Sequence, residues 1–120
     1  MPKILIVDDS LYIINELKKI LIENKFQEII EATNGKNAYD KYIENKPDLV
    51  LLDISMPDWD GLYTLKKILE FDKNAKIIMV TAMENRLVIF EALKNGAIDY
   101  IIKPFSDKRI IYAINRALTL

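Results

Sequence analysis

Five short apolar runs recur along the chain, each followed by polar or turn-forming residues. They cover residues 3–7, 29–32, 49–52, 76–80 and 99–103 and are rich in Ile, Val and Leu. Several are continuous rather than alternating, which is typical of parallel strands with both faces covered. The runs therefore predict five strands of a buried parallel sheet. The start of the second strand is the least defined, because residues 26–30 could extend it.

Segments with a helical period separate the runs. Residues 11–23 place four apolar side chains on one stripe, namely Leu11, Ile14, Leu17 and Leu21. Similar segments cover residues 35–45, 62–71 and 84–95, and Gly96 is suited to end the last of these. A fifth helix can begin at Ser106 or Asp107, and its apolar positions are Ile110, Ile114, Ala117 and Leu118.

The regular alternation of strand and helix is typical of one architecture. Each strand–helix–strand unit implies a right-handed crossover, so that a parallel sheet lies between two helical layers. The chain of 120 residues suits one domain, residues 1–120, and has no linker or low-complexity segment. The pattern thus predicts a single doubly wound α/β domain of the (βα)5 type.

The charge balance narrows the class of partner. Seventeen basic side chains stand against eighteen acidic ones, a net charge of −1, which provides no electrostatic footprint for nucleic acid or anionic lipid. No window approaches the ~18 uncharged apolar residues of a membrane span, and the N-terminus shows no secretory signal. We therefore expect a cytoplasmic protein that binds another protein, with no membrane and no direct nucleic-acid contact.

The absence of cysteine and histidine limits the possible chemistry. With neither residue in the chain, disulfides, Cys/His zinc sites and the Ser-His and Cys-His nucleophile pairs are excluded. Any chemistry must come from carboxylates, hydroxyls and lysine. Oxygen ligands of this kind suit a hard cation such as Mg²⁺.

Residues able to handle a metal or a phosphate follow four of the five predicted strands. Asp8 and Asp9 end the first, Asp53 the third, Thr81 the fourth and Lys103 the fifth. Each alone is an ordinary turn residue, helix cap or surface lysine. Ligands of open parallel sheets bind at the carboxyl ends of the strands. If these strands are neighbours, the five side chains share one pocket.

Electrostatics indicates what this pocket requires. Two carboxylates ~5 Å apart repel by roughly 3 kcal/mol at an effective dielectric constant near 20. Three acids contain up to three such pairs, and Lys103 compensates only part of their charge. A divalent cation is the better match, and the all-oxygen ligand set favours Mg²⁺.

Four motifs resemble those of the receiver domains of two-component response regulators. They are "ILIVDDS" at residues 4–10, "DLVLLDISMPDWDG" at 48–61, "IIMVTAM" at 77–83 and "DYIIKPF" at 99–105. The similarity covers the whole chain and is greatest to the single-domain, CheY-like chemotaxis type. It implies a flavodoxin-like sandwich with strand order 2-1-3-4-5 and helices on both faces.

The resemblance assigns a role to each polar residue at the sheet edge. It makes Asp53 the phosphoacceptor, and it implies that Mg²⁺ is held by Asp8, Asp9, Asp53 and the backbone carbonyl of Ser55. A carboxylate that attacks a phosphoryl group in line forms an acyl phosphate, and positioning and charge stabilisation supply nearly all of the catalysis.

The remaining implied roles concern the phosphoryl group and the response to it. Thr81 and Lys103 are expected to hydrogen-bond its oxygens, and Tyr100 to be a switch aromatic that moves inward with Thr81. Ser55 and Met83 occupy positions that tune how long the phosphoryl group lasts. These residues complete the site that the resemblance predicts.

The resemblance also implies partners. A sensor histidine kinase is the expected phosphodonor, and a protein target is expected on the face formed by helix 4, strand 5 and helix 5. We expect a signalling switch without turnover of an external substrate, either a monomer or a weak dimer that depends on phosphorylation. Candidate target contacts are Arg86, Phe90, Tyr100, Lys108 and Tyr112.

Three alternatives share the same residues. The chain could be a phosphorelay intermediate, or a receiver cut from a longer DNA-binding regulator. It could also be a phosphatase or dehalogenase-type hydrolase that uses Asp53 as nucleophile on an external substrate. That class usually has an acid two residues after the nucleophile, whereas position 55 is Ser.

Overall fold

The computed structural model describes all residues from 1 to 120 and shows five strands that alternate with five helices. The sheet is parallel throughout, in the order β2-β1-β3-β4-β5. The predicted doubly wound, flavodoxin-like class and its strand order are thus confirmed. In chain order the elements are β1 (Lys3–Val7), α1 (Leu11–Glu23), β2 (Glu28–Ala32), α2 (Gly35–Asn45), β3 (Leu49–Leu52), α3 (Gly61–Phe71), β4 (Ile77–Thr81), α4 (Arg86–Lys94), β5 (Asp99–Ile102) and α5 (Asp107–Leu118).

Successive residues of the central strands supply two separate cores. Ile4 and Ile6 of β1 join the core beneath α1 and α5, whereas Leu5 and Val7 join the core beneath α2, α3 and α4. All four side chains are at most 1% exposed. Burial on both faces explains why the strand sequences are continuous apolar runs.

Several predicted boundaries shift by one or two residues. Thr81 is the last residue of β4 rather than the residue after it, and β5 ends at Ile102, so Lys103 follows the strand. Helix α4 begins at Arg86 rather than at residue 84, because the Asn85 side chain accepts hydrogen bonds from the first free N–H groups of the helix. The fifth helix is capped by Ser106.

No helix could cross a bilayer. The longest, α1, has 13 residues, and none is both long and apolar enough for a membrane span.

Candidate functional site

Asp8 and Asp53 lie side by side at the carboxyl edge of the sheet. β1 and β3 are neighbours with Val7 opposite Leu52, so the residues that follow the two strands are level with one another. The Asp53 N–H donates to the Val7 carbonyl oxygen at 3.0 Å, which extends the ladder beyond β3. Carboxylate oxygens of Asp8, Asp9 and Asp53 all lie within 4.8 Å of one another.

The three carboxylates differ in exposure. Asp8 is 2% exposed and Asp53 is 4% exposed, whereas Asp9 is open to solvent. Burial raises the pKa of Asp8, and the charge of Asp53 acts in the same direction. Hydrogen bonds donated by Lys103 and by the Ser10 N–H oppose this rise. The cluster is therefore short of positive charge.

Lys103 provides the ammonium group in contact with these acids. Its Nζ lies 2.7 Å from Asp8 Oδ2 and 3.6 Å from Asp53 Oδ2, and its side chain is 16% exposed. The backbone N–H of Lys103 donates to the Thr81 carbonyl oxygen at 2.9 Å, which ties the end of β5 to the end of β4. One lysine against three carboxylates leaves a local charge of about −2 when all are ionised.

The donor set fits a hard divalent cation. Three carboxylates offer oxygen ligands within a radius suited to one ion, and their excess negative charge matches the charge of Mg²⁺. Asp9 is the exposed member, so the cluster is reached from solvent. Ser55, which the resemblance adds as a carbonyl ligand, lies exposed two residues beyond Asp53.

Thr81 and Tyr100 meet at the backbone of Met83. The Thr81 side chain is fully buried, and its hydroxyl accepts a hydrogen bond from the Met83 N–H at 3.3 Å. The Tyr100 hydroxyl donates to the Met83 carbonyl oxygen at 2.5 Å. Burial, together with the charge of Asp53, raises the pKa of Tyr100. The two proposed switch residues thus share one neighbour.

The expected target-binding face is only partly exposed. Phe90 and Tyr112 are each 64% exposed, and Arg86 and Lys108 are also open to solvent. Tyr100, which we expected among the exposed contacts, is half-buried because its ring packs against the core beneath α4.

The loop between β3 and α3 turns sharply around Asp53. The Ile54 N–H donates to Asp53 Oδ1 at 2.8 Å, which fixes the rotation of the carboxylate. The Gly61 N–H donates to the Ile54 carbonyl oxygen at 2.8 Å. A Cβ on Gly61 would lie 2.1 Å from the Asp53 carbonyl oxygen. Glycine is required there by this close approach; the positive φ of the loop, 63°, is at Asp58.

Two features of the structure were not predicted from the sequence. Arg109 of α5 makes a bidentate ion pair with Asp99 of β5, at 2.9 and 3.1 Å. Trp59 packs between Tyr39 and Tyr63 in the loop after Asp53. The sequence offered one signal for the second feature, a lone tryptophan six residues beyond Asp53.

Comparison with known proteins identifies relatives of the same kind. The family model described as "Response regulator receiver domain" matches residues 4–115. The chain is 45% identical over 116 residues to the chemotaxis protein CheY of Bacillus subtilis, with 97% of each chain covered. It is 43% identical over 114 residues to the chemotaxis protein CheY of Thermotoga maritima, with 95% of each covered.

A solved structure resembles the fold closely. It is a chain of a CheX–CheY–BeF3–Mg²⁺ complex from Borrelia burgdorferi, with a TM-score of 0.92 and 35% sequence identity. The match covers 95% of this chain and 87% of that chain. The similarity therefore extends over almost the whole fold.

The close approach at Gly61 predicts the effect of a single methyl group. Gly61→Ala places a Cβ against backbone atoms of Asp53 and Ile54, which cannot rotate away. We expect a loss of about 1–3 kcal/mol in the free energy of unfolding, measured in urea, and shifted NMR amide resonances for residues 53–55.

Gly96→Ala is the matched control for this substitution. Gly96 has φ +112°, so alanine there is also destabilising, by about 1–2 kcal/mol, yet the residue lies at the end of α4. In Gly96→Ala, the amide resonances of residues 53–55 should keep their wild-type positions. Equal shifts in both variants would show that general destabilisation, rather than contact at Gly61, moves Asp53.

The Arg109–Asp99 pair predicts a pH dependence of stability. Burial alone would raise the pKa of Asp99, but the hydrogen bonds from Arg109 and from the Tyr100 N–H outweigh burial and lower it. A carboxyl with a lowered folded-state pKa stabilises the fold above its unfolded pKa of about 4 and loses this contribution as the pH falls further. Arg109→Met should therefore be less stable than wild type at pH 6, and the gap should narrow below about pH 4.

The control for this pair is Lys108→Met, which removes an equal charge from an exposed neighbour on the same helix. Urea unfolding between pH 6 and pH 3 provides the comparison. If the two variants follow parallel curves, the ion pair does not account for the pH dependence.

Proposed function

The chain belongs to the response regulator receiver domain family, and from this we propose that it is a phosphorylation-activated switch of the CheY-like type that accepts its phosphoryl group on Asp53. The whole of residues 1–120 forms the receiver domain. It acts in the cytoplasm, and a sensor histidine kinase supplies the phosphoryl group. The supporting observation is the juxtaposition of Asp8, Asp9 and Asp53 with Lys103 at one edge of the sheet.

Asp53 is the nucleophile in this proposal. One carboxylate oxygen attacks phosphorus, an O–P bond forms, and the bond from phosphorus to the kinase histidine nitrogen breaks with its electron pair left on nitrogen. The hydrogen bond from the Ile54 N–H to Oδ1 orients the carboxylate. Because Asp53 is 4% exposed, little reorganisation of water accompanies the attack.

Asp8, Asp9, Asp53 and the Ser55 carbonyl would hold Mg²⁺. When bound, the ion neutralises the acidic cluster and offsets the charge of the incoming phosphoryl oxygens. Lys103 lies 3.6 Å from Asp53 Oδ2, within reach of a phosphoryl oxygen on that side. The Thr81 hydroxyl, which now accepts from the Met83 N–H, is the second donor.

Thr81 and Tyr100 transmit the effect of phosphorylation from the site to the surface of the protein. Phosphorylation adds roughly −1.5 to −2 charges, and the Thr81 hydroxyl turns toward them. Because Thr81 and Tyr100 both bond the backbone of Met83, a shift of the β4–α4 segment changes the position of Tyr100.

The output surface is the face of α4, β5 and α5. A protein target binds there, with exposed Phe90 and Tyr112 as apolar contacts and Arg86 and Lys108 as charged ones. The full-length similarity to chemotaxis CheY proteins supports chemotaxis as the pathway. The protein is a monomer or a weak phosphorylation-dependent dimer, and it turns over no external substrate.

Self-phosphorylation from a small donor tests the proposal. With acetyl phosphate and Mg²⁺, intact mass spectrometry should show one adduct of about 80 Da, the mass of a phosphoryl group. The adduct should be absent from Asp53→Asn and after addition of chelator. Asp58→Asn, in the same loop but outside the acidic cluster, should be labelled like wild type.

Two results would contradict the proposal. Labelling of Asp53→Asn would show that another residue accepts the phosphoryl group. Labelling in excess chelator would show that the reaction does not require a divalent cation. Repeated turnover of a phosphate ester would instead favour the hydrolase alternative.

The side chain of Met83 is expected to influence how long the phosphoryl group remains on Asp53. This side chain is half-buried beside the site and cannot polarise the water that hydrolyses an acyl phosphate. Met83→Glu supplies a carboxylate there, and we expect hydrolysis to accelerate by about tenfold, less than the effect of a fully positioned base. The measurement is the decay of the adduct after donor removal, with Met83→Leu as the apolar control. Unchanged or slower decay in Met83→Glu would exclude this role.

A further inference from the structure

The β3–α3 loop, residues 53–60, is hydrogen-bonded only near its two ends. At its start, the Asp53 N–H bonds Val7 and the Ile54 N–H bonds the Asp53 side chain. At its end, Asp60 accepts from the Tyr63 N–H at 2.8 Å. Residues 55–59 neither donate nor accept a hydrogen bond within the protein. This unbonded stretch includes Ser55, whose carbonyl is a proposed metal ligand.

Side-chain packing anchors this stretch instead: Met56 packs against the core beneath α2, α3 and α4, and Trp59 packs against aromatic rings of α2 and α3. Its ring lies 4.9 Å from that of Tyr63 in an edge-on arrangement and 5.5 Å from that of Tyr39 in a tilted one. Lys36 Nζ lies 5.8 Å from the centre of the same ring. Both ring geometries are of the favourable kind, and the lysine adds a cation–π contact. Trp59 thus joins the loop to α2 and α3 at once.

The backbone of the loop also meets α2 at this residue. A Cβ on Gly35, the first residue of α2, would lie 2.4 Å from the Trp59 carbonyl oxygen and 2.6 Å from Trp59 Cβ. The helix and the loop are therefore in direct contact at Trp59, with no room for a side chain between them. Ring packing and backbone contact hold the same residue.

We propose that Trp59 is a positioning residue that holds the β3–α3 loop in the form competent for metal binding. The inference rests on the proposed function, because it concerns the Mg²⁺ site of that function. A stretch without hydrogen bonds samples many backbone conformations, and each residue ordered on binding adds an entropic cost. Packing of Trp59 against Tyr39 and Tyr63 orders the loop before the ion binds, so the entropic cost of metal binding is smaller.

Magnesium affinity measured by titration calorimetry tests the role of Trp59. We expect Trp59→Ala to weaken Mg²⁺ binding by about tenfold, the lower end of the effect typical for residues that support metal ligands. Trp59→Phe keeps an aromatic ring in place and should recover most of the affinity. The readout is binding by the unphosphorylated protein and does not depend on phosphotransfer.

Phe71→Ala is the matched control. Phe71 belongs to the same aromatic cluster, 6.4 Å from Tyr39 and 6.4 Å from Tyr42, but makes no ring contact with Trp59. It should lower the free energy of unfolding while Mg²⁺ affinity changes by less than about twofold, because Phe71 is linked to Trp59 only indirectly, through Tyr39. Equal loss of affinity in Phe71→Ala and Trp59→Ala would overturn the proposal, as would unchanged affinity in Trp59→Ala.

Two further measurements cover a Trp59→Ala variant that does not fold. Tyr39→Leu removes the ring contact from the side of α2 and should also weaken Mg²⁺ binding. In the wild type, the emission of the sole tryptophan should stay nearly constant on Mg²⁺ titration, because the ring is already packed before the ion binds. A large change in emission at the calorimetric midpoint would show that binding orders the ring, and it would contradict the proposal alone. Wild-type protein that takes up no Mg²⁺ would contradict the proposed function as well.

Discussion

The crowding of like charges at the carboxyl edge of the sheet is the constraint on which the rest of the site depends. Asp8 and Asp53 are brought together by the pairing of β1 with β3, and both are buried. Each close pair of carboxylates repels by roughly 3 kcal/mol at an effective dielectric constant near 20. The ion pair of Lys103 with Asp8 offsets part of this repulsion. The remainder would favour the uptake of a cation.

The two hydrophobic cores stabilise the sheet against the repulsion between these carboxylates. Strands whose side chains are buried on both faces form a rigid platform, and close packing resists the movement that would let the acids separate. The helix-start loops at the edge carry the polar groups without disturbing either core. Charge repulsion confined to one edge and stability distributed through the sheet explain how a small domain keeps two neighbouring carboxylates buried.

The sequence predicted well what depends on periodicity and position. Continuous apolar runs such as residues 49–52 predicted the strands, and the polar residues after four of the five runs predicted Asp53 and its neighbours, since parallel strands end at one edge. The sequence could not predict contacts set by three-dimensional proximity. The ion pair of Arg109 with Asp99 joins different elements, and the close approach at Gly61 depends on the path of the loop. The half-buried position of Tyr100 depends on a hydrogen bond across 17 residues.

The parts of the site held by strand ends and the parts held by individual side-chain contacts also differ in how firmly they are fixed. Asp8, Asp53 and Lys103 are held by strand ends, so their geometry follows from the sheet. The segment after Asp53 and the segment after Thr81 are instead held by a few specific contacts, Trp59 with its ring neighbours and Met83 with Tyr100. Segments with few hydrogen bonds have low local stability, and a change of one or two charges can shift them where it could not shift a strand. In the proposed function, a rigid acceptor therefore lies between two adjustable segments, an arrangement that would allow a local charge to alter a distant surface.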